Sequence, residues 1–139
     1  MRFKPCPSVD DVGEIAAACR AAAATMGIPV TIVISDDGGH VLRLDRLEAR
    51  VSTLEAAMGK ARTAAITRNP TSSLAERVQA MPGLLTMSLT PIGGGVPLMI
   101  GGDCVGAIGV SGGTPQQDEE IANAGARLVS KFVPRTSTT

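Results

Sequence analysis

The chain has 139 residues, 44% of them hydrophobic and 19% charged, the balance of one globular domain rather than a disordered chain. Thirteen basic residues cancel thirteen acidic ones, and Trp and Tyr are absent, leaving Phe3 and Phe132. Such a chain lacks both the positive field that holds nucleic acid or an anionic membrane and the stacking platforms that single strands use. No apolar run approaches the roughly 20 residues of a membrane span.

Cys6, Cys19 and Cys104 are odd in number and far apart, without a CxxC, so the sequence suggests neither a disulfide framework nor a zinc site. The start "MRFKPCPSVDD" has no secretory-type apolar stretch, and the expected setting is cytoplasmic. No metal held by the protein's own side chains is expected, nor any nucleic-acid or membrane partner. One domain is expected over 1–139, with its core at about 9–131 and a frayed tail at 134–139.

In chain order, Ser8 and Asp11 form a capping arrangement ahead of a helical stripe, Val12, Ile15, Ala16, Cys19, Ala22, Ala23 and Met26, which Gly27 stops. "PVTIVIS" (29–35) and "HVLRLDRL" (40–47) are strands joined by the "DDGG" turn, a hairpin. Ser52 and Glu55 form a capping box for a second helix, whose apolar stripe is Leu54, Ala57, Met58, Ala61 and Ala65. Asn69-Pro70 ends it, and a short helix follows as far as Met81-Pro82-Gly83. "LLTMS" (84–88), "VPLMI" (96–100) and "CVGAIGV" (104–110) read as three more strands, the last two joined by a tight turn. Thr114, Pro115 and Gln117 open a final helix with Asp118, Glu119 and Glu120 at its positive end. The order is α-β-β-α-α-β-β-β-α, an α+β fold with a mostly antiparallel five-stranded sheet flanked by helices.

Four places can carry chemistry. The run Ser111, Gly112, Gly113, Thr114 places backbone N–H groups beside a helix start, where a carboxylate or phosphate would be held, or simply lets a strand turn into a helix. Gly93, Gly94 and Gly95 sit in a loop that converges on it if the last two strands pair. Lys60 shares a helix face with Ala56, Thr63 and Thr67, distinct from the apolar stripe, and is either a solvated lysine or a partner for an anion. Arg62 lies on the opposite flank. His40, the single histidine, follows the hairpin turn and shares a strand face with Leu42 and Leu44; it is a packed or solvated residue, or a ligand to a haem iron.

Three segments together resemble the GlcG/HbpS family, which includes the C-terminal domain of PduO-type adenosyltransferases. They are "GIPVTIVISDDGGHVL" (27–42), "KARTA" (60–64) and "GGVPLMIGGDCVGAIGVSGGTPQQDEEIA" (94–122). The resemblance covers about residues 9 to 130. It implies a profilin-like fold and homodimers that assemble further, up to octamers. It also implies haem binding in several members, with links to haem degradation or sensing, and places others in glycolate, propanediol or aromatic catabolism. Onto this chain it carries the loops at 93–95 and 111–113, His40 in the "GGH" turn and Lys60 in "KARTA".

Three functions follow as expectations. The first is a haem or tetrapyrrole binder, with His40 as axial ligand and Lys60 or the helix-end N–H groups meeting the propionates. The second is a small hydrolase- or isomerase-type catabolic enzyme for an unsaturated or hydroxylated carboxylate such as a muconate-like acid. There the Gly-rich helix end grips the carboxylate, Lys60 or Arg62 stabilises negative charge and His40 or an acidic residue moves a proton. The third is a non-catalytic subunit of a homo-oligomer.

Overall fold

The structure is a computed structural model that describes residues 1–132; the expected frayed tail at 134–139 lies outside them. The described residues form four α-helices and four strands, in the order α-β-β-α-α-β-β-α. They are α1 (Val9–Met26), β1 (Thr31–Ser35), β2 (Val41–Arg46), α2 (Ser52–Thr67), α3 (Thr71–Ala80), β3 (Gly95–Ile100), β4 (Asp103–Ser111) and α4 (Pro115–Ala126). The sheet order is β2-β1-β4-β3, and every neighbouring pair is antiparallel.

β1 is buried along its whole length because it is central and covered on both faces. Ile32 and Ile34 point to one side, with Ile108, Val110, Val96 and Leu98 of the neighbouring strands, against α1 and α4. Val33 points to the other side, against Ala57 and Ala61 of α2. The second layer is built from small side chains. Ala64 and Ala65 pack on Ala107, and a Cβ added to Gly109 would collide with the backbone of Ala57 and Ala61. Helix α2 thus lies on the sheet backbone to backbone.

The sheet has four strands, not five. The 84–88 run is instead part of a 3₁₀ turn, Pro82–Met87, in which no residue is buried. Its Leu85 and Met87 face outward, so nothing draws it into the core as a strand. β3 also offers it no place, since Pro97 in mid-strand has no N–H for a further ladder and fits only an edge.

The capping boxes of α1 and α4 form as the residues predict, with both reciprocal bonds present. That of α2 does not form: the N-cap is Val51, without a side-chain bond. The Thr53 hydroxyl lies 2.8 Å from that of Thr31 in the sheet and donates to the Arg50 carbonyl, which pulls the first turn inward. Among the described residues no helix is long and apolar enough to cross a membrane.

Candidate functional site

Helix α2 is turned further than its apolar stripe implies. The residues facing the sheet include Ala57, Lys60, Ala61 and Ala64, while Leu54 and Met58 are only half-buried. Lys60 is therefore not solvated: its side chain is 4% exposed. Its Nζ donates to the Val110 carbonyl at 2.9 Å and pairs with Asp118 Oδ2 at 3.1 Å. Gly94 makes the passage possible. Its φ is 129°, and a Cβ there would stand 2.9 Å from Nζ and 2.5 Å from the Val110 oxygen. Lys60 belongs to the helix on one face of the sheet and Asp118 to a helix on the other, so the pair clamps the two layers at the margin of the sheet.

The same carboxylate closes the start of α4. Asp118 Oδ1 accepts the Gly113 N–H at 2.8 Å, and Gln117 Oε1 accepts the Thr114 N–H at 3.0 Å. Two of the donors that the sequence offers to an external anion at 111–114, the N–H groups of Gly113 and Thr114, thus meet side chains of this chain. The glycines admit neighbours: Gly93 lies against Pro115, Gly95 against the Lys60 carbonyl and Thr71, Gly112 against the Pro29 carbonyl, and Gly113 against Ile28. Ser111 pairs with Thr31 in the ladder. The structure brings Lys60, Gly94, Gly113 and Thr114 together as one polar knot. Asp118 is the member that sequence reasoning missed, because its place in an acidic helix start explained it already. The signal that pointed to it was the set of small residues surrounding one lysine.

His40 lies elsewhere, on the β1–β2 turn, whose Gly39 packs against Arg62. Asp36 organises this turn. Its Oδ1 accepts the N–H groups of Gly38 and His40, each at 2.9 Å, and the Asp36 N–H donates to the His40 carbonyl. His40 Nδ1 lies 3.3 Å from the same Oδ1, and the imidazole is 83% exposed. Gly39 rests on the Arg62 side chain, whose guanidinium donates to the Ser88 carbonyl. Arg68 donates to the Asp37 carbonyl, and Lys4 pairs with the Asp37 carboxylate, holding that carboxyl below its usual range. An imidazole, two aspartates and three long cations thus share one end of the sheet. Val41 and Leu42, each 47% exposed, and Met87 beside Ser88 supply apolar surface near them.

A third feature is a groove of about 1100 Å3 along the start of α1, floored by Ile15, Val105, Val129 and Phe132. None of the residues picked from the sequence as site candidates lines it. Its rim carries Asp10, Asp11 and Glu14 against Arg43 and Lys131, and Arg43 is already bonded to Asp45. Among the described residues no group of three or more His, Cys, Asp or Glu side chains could hold a metal ion.

Comparison with known proteins gives the fold its family. The family described as haem degrading protein HbpS-like matches residues 8–127. The chain belongs to the HbpS-like family. An uncharacterized 15.0 kDa protein of Citrobacter freundii, in the dhaT-dhaS intergenic region, is 34% identical over 126 residues, 86% of this chain and 89% of that protein. A double mutant of Streptomyces reticuli HbpS has a similar structure, with a TM-score of 0.86 at 30% identity over 92% of this chain and 90% of that one. The PduOC:heme complex is similar at a TM-score of 0.81 and 29% identity, over 88% of this chain and 94% of that one.

Proposed function

We propose that this chain binds haem, or a closely related planar tetrapyrrole, at the β1–β2 turn, with His40 as the axial ligand. The carrying observation is the freedom of that ring. His40 is 83% exposed, whereas Lys60 and the Gly-rich loops are engaged inside the protein. The HbpS-like family and the likeness to a haem complex support the choice of ligand.

The donor set at the turn fits the group. A haem iron takes an imidazole nitrogen, its propionates take cations, and its ring takes apolar cover. His40 offers Nε2, Arg62 and Arg68 are the cations, and Leu42, on the same strand face as His40, and Met87 are exposed apolar residues. Bound haem would supply an iron centre whose reduction potential the surrounding residues tune. The chain's own part is to hold the imidazole outward on a turn anchored to α2 by Gly39 and Arg62.

Haemin titration of the purified protein, followed by absorbance, tests this. The expected result is a saturable Soret shift that His40→Ala abolishes or moves to another wavelength. A shift identical in His40→Ala discards the ligand, and no saturable shift discards haem. A second reading, a small enzyme acting on an unsaturated or hydroxylated carboxylate, is favoured by one observation: Asp36 and His40 form an acid–base pair on a turn whose Gly39 packs against Arg62. It becomes the leading reading if haemin does not bind and a carboxylate from a substrate panel protects the protein against thermal unfolding.

A further inference from the structure

The Asp36 carboxylate does more than shape its turn. Two backbone N–H groups already converge on Oδ1, which is what an aspartate needs to hold a tight turn, and an asparagine oxygen would serve equally. The negative charge is surplus to that task. It faces one titratable ring, at 3.3 Å from Nδ1, and leaves Nε2 on the side away from the carboxylate. The other carboxylate of the turn, Asp37, is committed to Lys4.

We infer that Asp36 is a positioning residue for His40. Through a charge contact of 3.3 Å to Nδ1, short of an aligned hydrogen bond, it favours the tautomer with the proton on Nδ1 and the lone pair on Nε2, and it raises the donor strength of Nε2 toward a metal centre. This inference rests on the haem reading. The physical basis is the general behaviour of metal-bound histidines: a carboxylate behind the ring orients it and increases its basicity, and loss of such a partner costs about 10–100-fold in metal affinity. A more basic imidazole favours ferric over ferrous iron, so the carboxylate lowers the reduction potential of the bound haem. The two long cations on this side, Arg62 and Arg68, are directed to the carbonyls of Ser88 and Asp37 rather than to the Asp36 carboxylate. The charge therefore acts on the ring.

Asp36→Asn separates charge from shape, because its amide oxygen can still accept the Gly38 and His40 N–H groups. Asp37→Asn is the control: it removes the same charge one residue away, from a carboxylate facing Lys4. The measurement is spectroelectrochemical titration of the haemin-loaded protein, wild type and both variants. The expected result is that Asp36→Asn still shows a Soret band. Its preference for ferric over ferrous iron should fall about tenfold, a potential about 59 mV higher for a one-electron couple. Asp37→Asn should stay close to wild type. Equal potentials in wild type and Asp36→Asn overturn the inference while leaving haem binding intact. Equal shifts in both variants also overturn it, by assigning the effect to net charge. Wild-type protein that binds no haemin fails at the earlier step and removes the haem reading itself.

Discussion

Lys60 and Asp118 carry the largest electrostatic commitment in the fold, since both side chains are almost fully withdrawn from water. Removing one partner leaves the other charge buried and uncompensated, at a cost of about 3–5 kcal/mol, whereas removing both costs much less. Lys60→Met should lower the denaturation midpoint sharply. Lys60→Met with Asp118→Asn should recover a large part of the loss, because the amide oxygen still accepts the Gly113 N–H. Additive losses in that cycle would mean that the pair is not coupled. Cys19 gives a prediction in pH. Burial raises its thiol from 9.0 to about 12. The unfolded chain releases this proton near 9 while the folded chain keeps it, so the native state binds more protons in that window and stability falls as pH rises. Full stability from this group is present below pH 9 and is lost between 9 and 12. The midpoint should drop from pH 8 to pH 10.5 by more in wild type than in Cys19→Ala; equal drops would contradict it. Residue identity made part of this legible. That Lys60 sat among small neighbours was visible, but a hydrophobic stripe cannot report which lysine finds a buried carboxylate 58 positions away.

At the scale of elements, the contact between α2 and β4 sets how closely the two layers approach. A methyl at Gly109 would meet main-chain atoms of Ala57 and Ala61, which cannot swing aside as a side chain can. Gly109→Ala should therefore cost about 1–3 kcal/mol or more in chemical denaturation, by overpacking rather than by loss of a contact. A near-neutral result would show that α2 can slide outward freely. Ala57 and Ala61 were legible as part of the apolar stripe of α2, but Gly109 as their close neighbour was not, because that contact joins distant segments; the capping boxes of α1 and α4 were legible because they need only local residues. The fifth strand was misread for the complementary reason. "LLTMS" has a strand's composition, yet its fate depends on a distant edge that Pro97 closes. Likewise, the Ser52–Glu55 box lost to a hydroxyl contact with Thr31, a partner that no local window contains.

At the scale of the whole molecule, the residues picked for chemistry divide between two places. The Gly-rich helix end, with Lys60, is an internal clamp. His40 and Arg62 stand together at the open end of the sheet, where Asp36 and the neighbouring cations give them a shared electrostatic setting. The sequence named Lys60, the Gly-rich loops, His40 and Arg62 but neither Asp118 nor Asp36, and it did not give the grouping, because Lys60 and Arg62 lie two positions apart on one helix, the first buried and the second exposed. Hydrogen–deuterium exchange with and without haemin tests this division most directly. The account predicts added protection at 36–42 and on the α2 flank around Arg62, with the 93–95 and 111–118 segments unchanged. Protection confined to 93–95 and 111–118, with the 36–42 turn unaffected, would contradict it and return the binding site to the Gly-rich helix start.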